Sequence, residues 1–188
     1  MKVRLISITL VLCSTMILLP LYLMKEKTNS VLPTSYKALT PEAKKQVTCL
    51  ADNIYFEAAK EPVIGQLAVA YVTINRVLSG NYADTICDVV HQKTNGVCQF
   101  SWYCITANLR QRLTVRETDA YNRIREISAH IFINHDRKND VTKGATFYHA
   151  DYVNPRWNLQ KSDKIGTHIF YKSSKDISDM KRSSIHEH

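Results

Sequence analysis

The chain has 188 residues, with 25 basic and 17 acidic side chains and a formal net charge of +8 at pH 7. This length suits one domain of ordinary size and a short additional segment. The basic excess favours an anionic partner, such as an envelope polymer or a nucleic acid. Nucleic acid is excluded as the expected partner, because the sequence holds no nucleic-acid-binding motif and begins with a segment that suits a membrane.

That segment is residues 5–24, a mostly apolar stretch of 20 residues without a charged side chain. Its length is sufficient to cross the hydrocarbon core of a bilayer. A cleaved signal peptide would have a shorter apolar core and small residues at the cleavage site, whereas bulky residues stand at this exit. We therefore expect one transmembrane helix, an uncleaved anchor over 1–24, followed by a polar stalk over 25–40.

Four of the five cysteines lie beyond the anchor: Cys49, Cys87, Cys98 and Cys104. An even number there favours disulfides and an oxidising compartment, although four cysteines allow three pairings. The short spacing of Cys98 and Cys104 favours a bond between them, with Cys49 and Cys87 as the other pair. The domain is then expected on the extracytoplasmic side of the cytoplasmic membrane. The alternative is a cytosolic protein with four buried thiols.

Residues 41–172 are expected to form one α+β domain that is mainly helical. Helices are predicted over Pro41–Glu61, Val63–Leu78, Thr85–His91 and Thr114–Asn134. The second is apolar nearly all round, which is typical of a buried central helix. The β-prone runs 145–149 and 167–171 are expected to pair as a small antiparallel element, and 173–188 to form a polar tail.

Glu57 lies on the apolar face of the first predicted helix, three residues after Ile54 and seven after Leu50. A carboxylate that points where core side chains point must be paired, or must have its pKa raised by desolvation. An acid still protonated near neutral pH can serve as a general acid, for example toward a glycosidic oxygen. The alternative is a boundary glutamate paired with a nearby Lys or Arg.

Several short blocks follow one another between Cys49 and Lys172: Glu57–Pro62, Gly65–Ala70, Asn75–Val77, Cys98–Trp102, Ala145–Ala150, Pro155–Trp157 and Ile165–Tyr171. Their sequences and their order resemble the catalytic domain of SleB/CwlJ-type cell-wall hydrolases. The resemblance implies peptidoglycan cleavage on a lysozyme-like fold related to lytic transglycosylases, with Glu57 as the catalytic acid. The chain departs from the family pattern at Ala59-Lys60, where Arg-Gly is frequent, and at Phe147, where His is frequent.

Glu61 follows Glu57 by one helical turn and is a candidate second carboxylate. Two long side chains on adjacent turns rarely face each other across a sugar ring, so the expected role of Glu61 is at the helix end, paired with Arg or Lys. A lytic transglycosylase needs only one acid/base. Its glutamate protonates the leaving oxygen, then takes the C6 hydroxyl proton of the same N-acetylmuramic acid, so that a 1,6-anhydro ring closes.

Further side chains are candidates for the sugar groove: Glu61, Gln99, Ser101, Trp102, Tyr148, His149, His168 and Tyr171. Packing is the structural alternative for the Tyr, His and Trp residues. Trp157 is a further candidate for stacking, and Asn75 and Arg76 are expected to anchor the structure. We expect peptidoglycan strands as the partner, a monomer, and no metal or cofactor.

Three other functions stay open at this point. An N-acetylmuramoyl-L-alanine amidase would need grouped His and acidic zinc ligands, but the histidines are scattered along the chain. A cysteine peptidase could use Cys49 or Cys104 with His149, but disulfides would consume these thiols. A non-catalytic peptidoglycan-binding protein of the envelope would keep the groove without the chemistry.

Overall fold

The computed structural model describes residues 35–105, 114, 116 and 118–175. The predicted anchor, most of the stalk and most of the polar tail lie outside the described residues. Among the helices of the described ranges, none is long and apolar enough to cross a membrane.

In these ranges the chain is mainly helical, as predicted, with α1 (Pro41–Ala58), α2 (Val63–Ser79), α3 (Ile86–His91), α4 (Ser101–Ile105) and α5 (Asp119–Asn134). The Thr40 hydroxyl caps α1, and Pro41 occupies its first turn. The helix ends at Ala58, earlier than the predicted Glu61. Pro62 disfavours helical backbone at Glu61, the residue that precedes it. Likewise α5 begins at Asp119 rather than at Thr114, with the Thr118 hydroxyl as its cap.

Helix α2 lies between two layers of the domain. Val69, Ala70 and Ile74 pack in the cluster that contains the core of α1. Ala68 and Val72 pack instead against the sheet residue Phe170. Because α2 is covered on both sides, its apolar residues occupy nearly its whole circumference, which explains the sequence pattern. Gly80 ends the helix in the left-handed conformation, with φ 64°.

The main sheet has the strand order β3-β5-β4 and is antiparallel, with β3 (Phe147–Ala150), β4 (Gln160–Ile165) and β5 (His168–Lys172). The predicted pairing of the two β-prone runs is confirmed, with Tyr148 opposite Phe170. Strand β4 carries no apolar pattern that predicts it, because it is polar and lies at the sheet edge, where charged side chains are favoured. A small hairpin, β1 (Lys93–Thr94) and β2 (Val97–Cys98), precedes α4.

Both expected disulfides are present. Cys49–Cys87 joins α1 to α3 with a Cα–Cα distance of 5.2 Å, across a separation of 38 residues. Cys98–Cys104 joins β2 to α4, with a Cα–Cα distance of 5.9 Å and a separation of 6 residues. The first therefore links two helices of the core, and the second closes a local loop.

We predict that the two disulfides differ in their contribution to stability. Closing the longer loop removes more conformational entropy from the unfolded chain, about 4 kcal/mol for Cys49–Cys87 against about 2 kcal/mol for Cys98–Cys104. Chemical denaturation of a C49A/C87A variant and a C98A/C104A variant measures both values. Equal losses in the two variants would contradict this account.

Candidate active site

The side chains of Glu57 and Tyr148 meet although 91 residues separate them. Glu57 lies in the last turn of α1, and Tyr148 lies in β3. The Tyr148 hydroxyl donates a hydrogen bond to Glu57 Oε2 over 3.0 Å, and both side chains are partly buried. The site is thus built where the C-terminal end of α1 contacts the sheet.

Burial raises the pKa of Glu57 above its ordinary value of 4.5. The Tyr148 hydrogen bond and the positive charge of Arg76 both lower this pKa, but desolvation has the larger effect. Burial also raises the pKa of Tyr148 well above 10, with the charge of Glu57 as the next cause. Tyr148 is therefore a neutral hydroxyl donor near neutral pH, and Glu57 is a carboxyl group suited to hold a proton.

The C-terminal end of α2 holds the segment that leads into β3. Asn75 Nδ2 donates to the carbonyl oxygen of Ala145 over 3.0 Å, and Arg76 Nε donates to that of Thr146 over 2.8 Å. The Arg76 guanidinium also lies 5.0–5.8 Å from the ring centres of Phe100, Tyr82 and Phe147. These contacts fix the backbone two and three residues before Tyr148, which is the anchoring role expected for Asn75 and Arg76.

Glu61 has a partner other than the expected cation. Its carboxylate accepts hydrogen bonds from the backbone N–H of Thr167, over 3.2 Å, and from the Thr167 hydroxyl. Gly166 precedes Thr167 in the turn between β4 and β5, with φ 58°. A Cβ there would lie 1.9 Å from Glu61 Oε2, so only glycine permits the approach. Glu61 thus fastens the hairpin turn to the junction of α1 and α2.

Asp52 is a further acid on α1, and the sequence analysis did not single it out. It is 2% exposed and forms an ion pair with Arg116. Its Oδ1 also accepts a hydrogen bond from the Tyr121 hydroxyl over 2.7 Å. The carboxylates of Asp52 and Glu61 are thus both engaged in contacts that join parts of the fold.

His149 and Tyr171 lie on the face of the sheet opposite to Tyr148, because side chains alternate along a strand. His149 Nε2 lies 2.9 Å from the Tyr171 hydroxyl, and the two rings are stacked. Trp157 packs edge-on against both rings and is 43% exposed. His168 shares the Tyr148 face, where it is 7% exposed with its ring 5.2 Å from that of Tyr148.

The candidates around Cys98 divide between core and surface. Trp102 is 5% exposed, stacks on Phe56 and donates to the buried Asn53 Oδ1 over 2.9 Å. Its ring belongs to the core, as in the packing alternative. Gln99 is exposed and donates to the Thr94 hydroxyl over 3.0 Å. Ser101 is exposed at the start of α4.

A cleft of about 540 Å³ opens beside Tyr148. It is lined by Arg76, Gln99, Phe147, Tyr148, Arg156, Trp157, Asn158 and Leu159. Of these lining residues, Arg156 is predicted only as part of a block of resemblance, and Asn158 is not predicted at all. Their position next to an exposed tryptophan was the available signal, because aromatic and polar side chains together are typical of binding clefts.

A family model described as Cell Wall Hydrolase matches residues 60–171. The chain belongs to the cell wall hydrolase family. The matched range contains Tyr148 and every other residue that lines the cleft. It contains no part of α1, so Glu57 lies just outside it. The family match thus bears on the sheet and on α2, and the assignment of the acid depends on the geometry.

Among curated proteins, the spore cortex-lytic enzyme of Bacillus cereus is 27% identical over 133 residues. The match covers 69% of this chain and 45% of that protein, so it spans less than half of the relative's length. Among solved structures, the catalytic domain of the germination-specific lytic transglycosylase SleB from Bacillus anthracis has a TM-score of 0.53 and 24% identity, with coverage of 72% of this chain and 98% of that one.

The catalytic domain of the Bacillus cereus SleB protein has a TM-score of 0.50 and 22% identity, with coverage of 76% of this chain and 99% of that one. At these identities the likeness is one of fold. The described domain therefore has the fold of the SleB catalytic domain, mainly helical with small antiparallel sheets.

We predict that Tyr148→Phe moves the pH dependence of cell-wall cleavage. The variant loses the hydrogen bond that lowers the pKa of Glu57, so this pKa rises further. If Glu57 is the essential acid, the alkaline limb of the kcat/KM profile should therefore move to higher pH. Turbidity loss of purified walls across a pH series measures the limb.

Tyr152→Phe is the matched control, because Tyr152 is 87% exposed and does not line the cleft. Its profile should coincide with that of the wild type. A Tyr148→Phe profile that stays in place, or moves to lower pH, would contradict the assigned effect of the hydroxyl.

Proposed function

We propose that this protein cleaves the glycan strand of peptidoglycan between N-acetylmuramic acid and N-acetylglucosamine by lytic transglycosylation, with Glu57 as the general acid and base. The observation that carries the proposal is the Glu57 carboxyl group, partly buried and held by the Tyr148 hydroxyl. Tyr148 also lines the cleft of about 540 Å³, a volume within the usual range of small-molecule binding sites. Membership of the cell wall hydrolase family supports the substrate class.

In the first step, the protonated Glu57 gives its proton to the glycosidic oxygen as the bond from that oxygen to C1 of N-acetylmuramic acid breaks. The raised pKa of Glu57 favours the protonated form that this step requires. The product of the transfer is a Glu57 carboxylate, and the Tyr148 hydrogen bond and the charge of Arg76 stabilise it. The same groups that limit the rise of the pKa thus assist the departure of the proton.

In the second step, the Glu57 carboxylate takes the proton of the C6 hydroxyl of the same N-acetylmuramic acid, and O6 bonds to C1. The 1,6-anhydro ring closes, and Glu57 returns to its protonated form. No water is consumed. One carboxyl group is sufficient for both transfers.

The state of the neighbouring acids supports a mechanism with a single acid. Classical glycosidases need two carboxyl groups on opposite sides of the scissile bond. Asp52 is paired with Arg116, and Glu61 accepts two hydrogen bonds from Thr167. Using either as a nucleophile or base would break a contact that joins distant parts of the fold.

The disulfides weigh against a cysteine peptidase. Cys49 and Cys104, the candidate nucleophiles, are each bonded to another cysteine in the structure. A nucleophilic cysteine must be a free thiolate. The amidase and the non-catalytic binding protein are distinguished by the products of the next experiment.

We predict that Glu57→Gln lowers the rate of wall cleavage by at least about 100-fold, because it removes the proton donor and acceptor. The substitution keeps the side-chain volume and an oxygen that can accept from Tyr148. Mass spectrometry of fragments released from purified walls measures the reaction and its products. The wild type should release fragments with 1,6-anhydromuramyl ends.

The effect of Glu57→Gln on the free energy of unfolding also has a predicted direction. Since the pKa of Glu57 is raised in the folded state, its ionisation costs folding free energy as the pH rises above 4.5. Glu57→Gln removes this cost, so its unfolding free energy at neutral pH should equal or exceed that of the wild type. The advantage should vanish at pH values well below 4.5, where Glu57 is protonated in both states.

Glu42→Gln is the matched control, because this substitution makes the same chemical change at an exposed site on the same helix. It should retain the wild-type rate. Full activity of the Glu57→Gln variant would refute the role of Glu57. Reducing ends would indicate hydrolysis instead, free stem peptides would indicate an amidase, and an inactive wild type that binds walls would indicate the non-catalytic module.

We also propose that the domain acts as a monomer anchored by residues 5–24 on the outer side of the cytoplasmic membrane. This segment contains ten Leu and Ile residues. Each contributes about −0.3 to −0.6 kcal/mol to insertion at the centre of a bilayer. The predicted stalk over 25–40 is shortened by the structure, because Tyr36–Ala38 form a 3-10 helix whose Tyr36 N–H donates to Glu126 Oε2 over 3.0 Å. A stalk over 25–35 would reach roughly 35 Å at full extension, which limits cleavage to strands near the membrane.

Membrane fractionation with intact-mass measurement tests whether residues 5–24 stay attached to the domain and hold it in the membrane. We expect the full chain in the membrane fraction, extractable by detergent and not by salt. A soluble mature form that begins after Met24 would show that the segment is a signal peptide.

A further inference from the structure

The charged side chains that line the cleft beside Tyr148 are all positive. The lining contains two arginines, Arg76 and Arg156, and no carboxylate. Glu57 is not one of the lining residues but contacts one of them, Tyr148, over 3.0 Å. Arg76 is 5% exposed and held at the Thr146 carbonyl and among three rings, so it is a fixed positive charge in the wall of the cleft. Charges in such poorly solvated positions act over longer distances than charges in water.

Arg156 is the exposed positive charge of the same cleft. It is exposed, and the described part of the chain supplies no ion pair for it. The backbone on either side is nonetheless constrained, since the Trp157 N–H donates to the Pro155 carbonyl over 2.9 Å. The guanidinium is therefore presented from a turn at the edge of the cleft, beside the partly exposed Trp157 ring.

We propose that Arg156 is a specificity-determining residue that recognises a carboxylate on the N-acetylmuramic acid unit, so that the cleft selects acidic glycan strands over neutral ones. This inference rests on the function proposed above and adds the substrate feature that the cleft distinguishes.

The chemistry of the cleft matches such a unit. N-acetylmuramic acid differs from N-acetylglucosamine by a lactyl ether, which ends in a carboxylate or continues into a stem peptide that carries carboxylates. Guanidinium groups bind carboxylates through two parallel hydrogen bonds. The Trp157 ring offers an apolar face to a sugar, and Gln99 and Asn158 offer amide groups to its hydroxyl and N-acetyl substituents.

A neutral strand is disfavoured by the same groups. It would cover Arg156 without giving the guanidinium a partner, and the lost hydration would remain uncompensated. The anionic substituent thus supplies the difference in binding, whereas stacking and amide contacts are common to both kinds of strand.

The experiment compares three strands from one wall preparation with the full chain in detergent. The first carries stem peptides, the second has them removed by an amidase and exposes lactyl carboxylates, and the third is the second with these carboxylates coupled to methylamine. We expect the wild type to cleave the methylamide strand about tenfold more slowly than the free-carboxylate strand, the size of one charged hydrogen bond.

Arg156→Gln should abolish this preference by slowing cleavage of the free-carboxylate strand about tenfold, while Arg156→Lys should restore part of it. If only the peptide-free strand with free carboxylates loses rate in Arg156→Gln, the recognised carboxylate is that of the lactyl group. If the stem-peptide strand loses rate as well, Arg156 also accepts a carboxylate of the peptide. Equal slowing of all three strands, or a preference that survives in Arg156→Gln, would overturn the inference.

Arg123→Gln is the matched control. Arg123 is exposed on α5 and does not line the cleft, and the substitution makes the same change in net charge. It should keep the wild-type rates and preference, which separates recognition at the cleft from general attraction to an anionic polymer.

Binding gives a readout that does not depend on turnover. In the Glu57→Gln background, affinity for the free-carboxylate strand should exceed that for the methylamide strand about tenfold, and Arg156→Gln should remove the difference. A wild type that cleaves none of the strands would refute the proposed function. A wild type that cleaves all three at the same rate would refute only the role of Arg156.

Discussion

The burial of α2 on two sides is the constraint on which the other parts of the domain depend. One side packs against the helices, and the other packs against Phe170 and the strands. Since the end of α2 also holds the backbone before β3, the helix sets the distance between α1 and the sheet. The site lies across this distance, with Glu57 on one layer and Tyr148 on the other. A shift of α2 would therefore separate the acid from its hydrogen-bond donor.

The environment of Glu57 contains opposed effects on one equilibrium. Desolvation favours the protonated acid, while Tyr148 and Arg76 favour the carboxylate. In the proposed mechanism Glu57 first releases and then regains a proton, so both of its forms must be accessible, and a site dominated by either effect would slow one of the two steps. Arg76 contributes in another way as well, because it belongs at once to the backbone anchor, to the aromatic cluster and to the wall of the cleft.

Features with a local signal could be predicted from the sequence. The position of Glu57 follows from helical spacing, the pairing of β3 with β5 follows from two β-prone runs, and the small Cys98–Cys104 loop follows from proximity along the chain. Features that depend on contacts between distant residues could not be predicted. The Glu61 carboxylate meets Thr167 across 106 residues, and no periodicity encodes that contact. The polar strand β4 exists because β5 offers it an edge, not because of its own composition.

The bond between Glu61 and Thr167 has a consequence for a chain that is still being made. Thr167 and Tyr148 both follow the helical layer in order of synthesis, and each closes a contact with a residue near the end of α1. A nascent chain can therefore build α1 and α2 while its acid still lacks the tyrosine. The sheet follows the five helices along the chain, so the Glu61 contact at its turn forms only after the helical layer has left the ribosome. Such an order of assembly would keep the candidate site incomplete until the sheet has emerged.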